Sequence, residues 1–229
     1  MATHSGNRPI VQDGLIWLVD VQDKHCYPGS GNTITDLRGN TSGTNSSNVF
    51  VPGSPAYMDS ANNNYHLWND GSTTIFNGDD ISVFSWVNFN SVSGADVTYF
   101  AKGRSSGNSC INLQTKSGVL TTAIYRGSWA AIESGTSAST GQWYYYGATY
   151  DHTNLKQYLN GALIDTDAST GTLTSGTTGK LSFGGGLWEN SALGSSQDVN
   201  LASVEMYRKA LTAKEVLQNF NAKRNRFGV

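Results

Sequence analysis

Short runs of aliphatic and aromatic residues, separated by clusters of Gly, Ser, Thr and Asn, recur along most of this chain. Such runs, bounded by turn-forming residues and closely spaced, are typical of the strands of a sandwich or barrel. The run ISVFSWVNFN (81–90) is apolar on both of its faces, which indicates a strand in the middle of a packed sheet. The segment LKQYLNGALIDT predicts a hairpin at Asn160 and Gly161, because both residue types tolerate positive φ in a type I′ turn.

The whole chain is predicted to form one core. Its 229 residues include 26 Gly but only 4 Pro, which favours many turns between ordered strands. About twelve strands and one helix can be assigned, with residues 27–47 as a long loop and without a linker or internal repeat. The sequence therefore predicts an all-β fold: a two-sheet antiparallel jelly-roll sandwich over residues 14–229, with one short C-terminal α-helix.

The first residues, 1–13, are predicted to form an N-terminal arm, which lies either on its own domain or on a neighbouring chain. The start of the chain contains no apolar segment typical of a signal peptide. The chain also lacks an apolar run near the roughly 20 residues of a membrane span. We therefore expect a protein made in the cytoplasm without membrane insertion.

The C-terminal helix is predicted at about residues 212–223. Thr212 has the character of an N-cap, and Glu215 stands three residues later, as in a capping box. Leu211 and Val216 have the spacing of a hydrophobic staple. An apolar stripe at helical spacing is formed by Val216, Leu217 and Phe220. A helix with one narrow apolar stripe is expected to lie on the sandwich.

The charge distribution gives no general reason to expect nucleic-acid binding. The formal net charge is −2, and only 14% of the residues are charged. Lys223, Arg224 and Arg226 cluster just past the end of the predicted helix, where the helix dipole favours positive charge. A nucleic-acid patch would interleave such cations with exposed aromatic residues. We therefore predict no nucleic-acid partner.

The two cysteines, Cys26 and Cys110, match no zinc or redox motif in their spacing. Their pairing in one disulfide is an open alternative. Two reduced, partly buried thiols are the favoured interpretation.

Four segments carry a resemblance to a known superfamily. WYYYGATYDHTNLKQYLNGALIDT resembles the strand-and-hairpin motif of the laminin G-like, concanavalin A-like lectin/glucanase superfamily, and ISVFSWVNF resembles its central Trp strand. The ending LASVEMYRKALTAKEVLQNFNAKRNRFG is also similar to that family. Together with the opening GLIWLVDVQDKHCYPGSGNTITDLRGN, it especially resembles domains from virion structural proteins of tailed phages. The resemblance spans residues 14–228 and implies a jelly roll used for binding and assembly, usually without catalysis.

Catalysis is not predicted. Glucanases of this superfamily carry paired carboxylates in an E-x-D-x-E pattern on one strand, and none of the four Glu of this chain stands in that pattern. Asp165 and Asp167 could share a face but follow a hairpin, where solvated Asp is common. The four His lack a nearby G-x-S-x-G elbow.

Calcium is the one candidate cofactor. The oxygen-rich positions are Asp79 with Asp80, and Asp198 with Asn200, since Ca²⁺ takes six to eight oxygen ligands. The resemblance implies an acidic residue at the position of Asn200, so the amide lowers the charge available there. The alternative is turn chemistry, in which these side chains bond their own backbone.

Glycan or partner binding is predicted in two segments. YRGSWAAIE (125–133) and GGGLWENS (184–191) each place a Trp among small polar residues, where core packing is disfavoured. The candidate contacts are Tyr125, Trp129, Trp188, Glu189 and Asn190. Packing at a sheet edge or a subunit contact is an equal alternative.

The leading hypothesis is a non-enzymatic phage virion structural protein: a capsid decoration, surface fibre or tail-associated module. Its arm would bind other virion proteins, its loops would contact host surface glycans or neighbouring subunits, and the chain would form a homo-oligomer in the particle. The alternatives are a free carbohydrate-binding lectin domain and, third, a glycan hydrolase.

Overall fold

The computed structural model describes residues 8–39, 41–46, 48–60, 65–68, 80–93, 97–103, 110–173, 180–184 and 198–229, with the side chains of 45, 46 and 65–68 excepted. Within this part of the chain, sixteen strands form two sheets of eight strands each, and one helix follows them. This confirms the predicted all-β sandwich with a C-terminal helix.

Sheet A contains β1 (Leu15–Asp20), β4 (Val49–Val51), β5 (Tyr57–Ser60), β7 (Ile81–Phe89), β12 (Trp143–Tyr150), β13 (Asn154–Leu159), β14 (Ala162–Ala168) and β16 (Val199–Tyr207). Its order is β14-β13-β12-β7-β16-β5-β4, and β1 pairs with β16. Sheet B contains β2 (Thr33–Thr35), β3 (Ser42–Ser46), β6 (Tyr65–Trp68), β8 (Val97–Lys102), β9 (Ile111–Lys116), β10 (Val119–Tyr125), β11 (Trp129–Ser137) and β15 (Leu181–Phe183). Its order is β11-β10-β9-β8-β15-β6-β3-β2.

Strand β7 lies in the middle of sheet A, between β12 and β16, and every one of its nine residues is buried. Val83 and Val87 face the core between the sheets, whereas Phe84 and Trp86 face the opposite side of sheet A. The prediction of a central strand that is apolar on both faces is therefore confirmed. The hairpin at Asn160 and Gly161 is confirmed as well, with φ values of 49° and 82° at these two residues.

Helix α1 (Ala213–Phe227) covers the outer face of sheet A. The predicted capping box is present, because Thr212 and Glu215 bond each other's backbone amides. The helix ends at Phe227 rather than near residue 223, and Gly228 closes it in the left-handed conformation. The reason lies in the packing: the Phe227 ring stacks on Trp86 at a centroid distance of 3.9 Å.

The predicted apolar stripe of α1 is only partly correct. Val216 and Phe220 are buried against sheet A, but Leu217 is 46% exposed. Asn219 takes a buried position on the helix instead, because its amide binds polar groups beneath it. The buried face of α1 thus combines apolar packing with hydrogen bonding.

The predicted placement of the C-terminal cations past the helix end is wrong. Lys223 and Arg226 lie within α1 and reach the sheet below it. Lys223 Nζ is 2.9 Å from Glu205 Oε1 and 3.3 Å from Asp20 Oδ2, and Arg226 Nη1 is 2.9 Å from Asp20 Oδ1. Asn219 Nδ2 donates to Glu205 Oε2 at 3.2 Å. These cations therefore hold the helix on the sheet, beyond any interaction with its dipole.

Residues 8–13 pack on their own domain. The Val11 amide donates to Asn219 Oδ1 at 2.8 Å, and the Val11 carbonyl accepts from the Tyr207 hydroxyl at 3.1 Å. Gln218 Nε2 donates to the Pro9 carbonyl at 2.8 Å. This part of the predicted arm therefore lies on its own domain, which was one of the two alternatives. Residues 1–7 of the arm lie outside the described residues.

The segment predicted as a long loop contains β2 and β3, which pair with each other at the edge of sheet B. Ile34 is the apolar side chain that β2 buries, and one such residue is too few for strand periodicity to appear in the sequence. Cys26 and Cys110 are both free and buried, as favoured from their spacing. Burial raises the pKa of the Cys26 thiol to about 12, which makes it a poor nucleophile.

Candidate functional site

Tyr125 and Trp129 form an exposed aromatic pair at the β10–β11 hairpin. The two residues are register partners, and their ring centroids are 5.2 Å apart at an interplanar angle of 66°. The prediction of a loop at Trp129 is wrong, because Trp129 begins the edge strand β11. Its side chain is nevertheless 45% exposed, so the predicted accessibility of this Trp is confirmed.

The pair stands on the outer face of sheet B, opposite to the core. Along β10, Leu120 and Ile124 enter the core, so residues 121, 123 and 125 point outward. Residues with small or amide side chains form a row in register across five strands beside the pair: Ser182, Ala101, Asn112, Ala123 and Ala131. Four of these five residues are buried, and Ala131 on the edge strand is exposed.

A second row of outward residues follows on the far side of the small ones. It is wholly polar and runs in register across four strands: Thr98, Gln114, Thr121 and Glu133. Glu133 is paired with Lys116 on the same face, which neutralises both charges. Residues two apart on a strand are separated by about 7 Å. Both rows are buried on β8, β9 and β10 and become exposed only on the edge strand β11, at Ala131 and Glu133.

Asn112 lies in the row of small residues, two strands from Ala131. It is only 3% exposed, and its Oδ1 atom accepts no hydrogen bond from the residues that the structure describes. A buried carbonyl without a partner costs roughly 1–3 kcal/mol, so a hydroxyl group that donated to it would be bound favourably. Sequence reasoning missed Asn112, Gln114 and Thr121, although the alternation in INLQTK and VLTTAIY places polar residues opposite the core.

Four of the predicted site residues, Asp79, Trp188, Glu189 and Asn190, lie outside the described residues. Asp80 is described and precedes β7, where its Oδ1 is 3.5 Å from His152 Nε2.

Asp198 and Asn200 lie at the other end of β7 from Asp80, about 30 Å away for ten residues of extended chain. There Asn90 Nδ2 donates to Asp198 Oδ1 at 2.9 Å and to Asn200 Oδ1 at 3.2 Å. It also lies 3.4 Å from Asp59 Oδ1. The structure thus brings Asp198 and Asn200 together and keeps Asp80 apart from them.

The described side chains around Asn90 bring three oxygens together. Ca²⁺ takes six to eight oxygens, but here an amide nitrogen stands between the three side-chain oxygens. Burial, and next the negative charge of Asp198, raise the pKa of Asp59, so the two carboxylates repel each other mildly. Within the described ranges, no three His, Cys, Asp or Glu side chains are grouped to hold a metal. The calcium site therefore remains a prediction.

The outer face of sheet B offers little chemistry for hydrolysis. Among the described residues of its two rows, Glu133 is the single carboxylate, and it is bound to Lys116. Glycoside hydrolysis ordinarily needs two carboxyl groups on either side of the scissile bond. Asp165 and Asp167 lie instead on β14, at the edge of sheet A.

The fold is a lectin-like jelly roll with one helix-covered face and one polar face. The model of the concanavalin A-like lectin/glucanases superfamily matches residues 59–217. The chain belongs to this superfamily. No curated protein sequence matches it. The one helix among the described residues is not long and apolar enough to cross a membrane.

Solved structures share this fold at low sequence identity. The binding domain of Paraclostridial Mosquitocidal Protein 1 has a TM-score of 0.68 at 17% identity, covering 91% of this chain and 52% of that chain. A second similar structure is Domain 4 of an extracellular arabinanase from Geobacillus stearothermophilus, in complex with arabinotriose. Its TM-score is 0.67 at 14% identity, and the match covers 90% of this chain and 97% of that chain. Trypanosoma rangeli sialidase in complex with sialic acid has a TM-score of 0.70 at 14% identity, and the match covers 99% of this chain and 36% of that chain. This chain therefore spans about half of the toxin chain and a third of the sialidase chain.

Proposed function

We propose that this chain is a non-enzymatic carbohydrate-binding domain that holds a saccharide on the outer face of sheet B. One observation carries the proposal: an accessible aromatic pair stands beside a row of small residues in which a buried amide carbonyl has no partner among the described residues. Tyr125 and Trp129 supply the aromatic surface, and Asn112 supplies the amide. The superfamily of the chain, which includes lectins, supports the same proposal.

The chemistry of a sugar fits these groups. A sugar ring has an apolar face of C–H groups, which stacks on an aromatic ring, and a rim of hydroxyls, which both donate and accept hydrogen bonds. With its apolar face on Trp129, a ring above Ala131 would direct hydroxyls toward Asn112 on one side and Glu133 on the other. Binding would then satisfy the Asn112 carbonyl, which gains the free energy that its burial now costs.

The charge of this face favours a neutral saccharide. Lys116 and Glu133 compensate each other, and the rest of the two rows is uncharged. An acidic sugar would find no spare cation among the described residues of these rows. Arg126, which follows Tyr125, is directed away to the Thr170 carbonyl.

The proposal extends to the setting of a phage particle, where the domain would be a capsid decoration, surface fibre or tail-associated protein. Its support is the resemblance of the opening and ending segments to virion structural domains. Because residues 8–13 pack on their own helix, any anchor to other virion proteins would use residues 1–7. An antibody against the chain should label purified phage particles; particles that carry the gene but not the protein would contradict this setting.

Binding is tested with an array of neutral, sialylated and uronate-containing oligosaccharides probed with the labelled chain. We expect binding to a subset of the neutral oligosaccharides. The same oligosaccharides, incubated with excess protein, should release no new reducing ends. An array without a binder would contradict carbohydrate binding, and release of reducing ends would contradict the non-enzymatic assignment.

A further inference from the structure

The outer face of sheet A carries a second polar group, at the end of β7 that is distant from the Tyr125–Trp129 pair. Four residues stand in register across four strands: Asp59, Asn200, Asn88 and Trp143. They point outward, because Met58, Val87 and Leu201 beside them on the same strands enter the core. Helix α1 covers the neighbouring part of this face and ends at Phe227.

Trp143 of this row forms an aromatic pair with Tyr57. The rings of Tyr57 and Trp143, both partly exposed, have centroids 5.7 Å apart in an edge-to-face arrangement. Trp143 also packs on Phe227 at 5.0 Å, so the end of the helix fixes its position. The pair forms a wall of the same kind as Tyr125 and Trp129 form on sheet B.

The side-chain carbonyl of Asn88 has no partner among the residues that the structure describes. Asn88 is only 8% exposed, and its Oδ1 accepts no hydrogen bond from them. Its register neighbours are Asn200 on one side and Trp143 on the other. A buried carbonyl without a donor costs free energy, so a ligand that donated to Asn88 would be bound favourably.

Acceptors face Asn88 from the neighbouring strand and loop. The carboxylates of Asp59 and Asp198 and the carbonyl of Asn200 share the amide nitrogen of Asn90, at 2.9 to 3.4 Å. The amide nitrogen of Asn200 in turn donates to the Asn90 carbonyl at 2.9 Å, so it is not directed to Asn88. A ligand that brought donors would therefore find acceptors here.

We propose that Tyr57, Trp143, Asp59 and Asn88 form a second saccharide site, which takes a neutral sugar. The hydroxyls of the sugar would donate to the carbonyl of Asn88 and the carboxylate of Asp59, and its apolar face would lie on the Tyr57–Trp143 wall. Asp59 and Asp198 would repel a sialic or uronic acid. A cation would gain nothing from the aromatic wall, whereas a sugar ring would.

The second site goes beyond the proposed function, because it shares no residue with the site on sheet B. The two sites lie on opposite sheets and toward opposite ends of the sandwich. One chain would then hold two glycan strands at once, which multiplies the avidity for a glycan-coated surface without any new contact.

Two matched substitutions separate the sites. Asn88→Leu and Asn112→Leu make the same chemical change, one on each face, and both remove a carbonyl that has no partner among the described residues. Because an unsatisfied buried polar group is replaced by an apolar one of similar size, both variants should unfold at the parent's temperature or above it. The probe is the same array of neutral and acidic oligosaccharides, read in 1 mM EDTA and in 1 mM CaCl₂.

Trp129→Ala removes the exposed aromatic ring of the sheet B site, and we expect this variant to keep some binding of neutral sugars. Adding Asn88→Leu to Trp129→Ala should lower that remaining binding at least tenfold. Asn88→Leu alone should leave binding through sheet B intact, and Asn112→Leu alone should leave binding through sheet A intact. If Trp129→Ala already removes all binding, the second site is wrong and the sheet B site stands. If Asn88→Leu removes all binding and Trp129→Ala none, the sheet B site is wrong. A calcium-dependent rise in melting temperature that Asn88→Leu abolishes would show a cation site and overturn the proposal.

Discussion

The two outer faces of the sandwich have the same alternating backbone but bury different side chains. On sheet A the outward residues of β7 include Phe84 and Trp86, which are apolar and fully buried beneath the C-terminal helix. On sheet B the outward residues of β9 and β10 include Asn112 and Thr121, which are buried as well but polar. The identity of every second residue thus decides whether a face offers apolar packing or hydrogen-bonding groups.

The cover of sheet A is held by polar as well as apolar contacts. Apolar surface contributes about 25 cal/mol per Å² when it is buried, but this attraction has no direction. The ion pairs of Lys223 and Arg226 with Glu205 and Asp20 supply direction, since they are satisfied in one placement of the helix. We therefore assign stability to the face of sheet A beneath α1 and binding to the face of sheet B.

The largest expected effect is on the ion pairs under the helix. Lys223→Met would leave the Glu205 carboxylate, only 1% exposed, without its cation. Breaking a buried pair on one side costs about 3–5 kcal/mol, so urea unfolding should show a loss of that size. Lys214→Met, an exposed change on the same helix, is the matched control and should be near neutral. Equal losses in both variants would contradict a structural role for the pairs.

The contribution of Lys223 to stability should depend on pH. Burial acts to lower the pKa of Lys223, but the negative charges of Glu205 and Asp20 outweigh it and raise the pKa above 10.5. A raised lysine pKa stabilises the fold below the unfolded value and ceases to do so as the pH rises through the folded value. The difference between the parent and Lys223→Met should therefore shrink above about pH 10.5.

The next effect concerns the end of the helix. Phe227→Ala removes the ring that stacks on Trp86 and touches Trp143, and truncation of a buried Phe costs about 3 kcal/mol or more. Leu217→Ala, at an exposed position of the same helix, should cost less than about 1 kcal/mol. Chemical denaturation of the two variants measures both. A Phe227→Ala protein as stable as the parent would show that the helix ends earlier, near the predicted residue 223.

The smallest stability effect is at the start of the helix. Thr212→Ala removes the N-cap and should cost about 1 kcal/mol. Burial acts to raise the pKa of Glu215, but hydrogen bonds from Lys209 and Thr212 outweigh it and lower the pKa below 4.5. A lowered carboxyl pKa stabilises the fold above the unfolded value and not below the folded one. The cost of Thr212→Ala, measured by thermal unfolding, should therefore fall as the pH drops below 4.5; a constant cost would contradict the coupling.

The contrast also explains what the sequence could predict. The cap at Thr212, the hairpin at Asn160 and the central strand β7 are local patterns, and all three were predictable. The extension of α1 to Phe227 depends on Trp86, which is distant in the sequence. The prediction from the apolar stripe alone therefore placed the end of the helix too early. The two polar and small rows on sheet B require the register of β9, β10 and β11, which no single segment contains. Trp129 was predictable as an accessible aromatic residue, whereas the position of Asn112 beside it needed the structure.

The division between a stabilising face and a binding face is tested most directly by Trp129→Ala. Its affinity for a neutral oligosaccharide selected on the array is measured by titration calorimetry against the parent, with melting temperatures recorded for both. Because the side chain is exposed, we expect an unchanged melting temperature and an affinity at least tenfold lower, about 1.4 kcal/mol. Equal affinities in the two proteins, or a variant that melts well below the parent, would contradict the account.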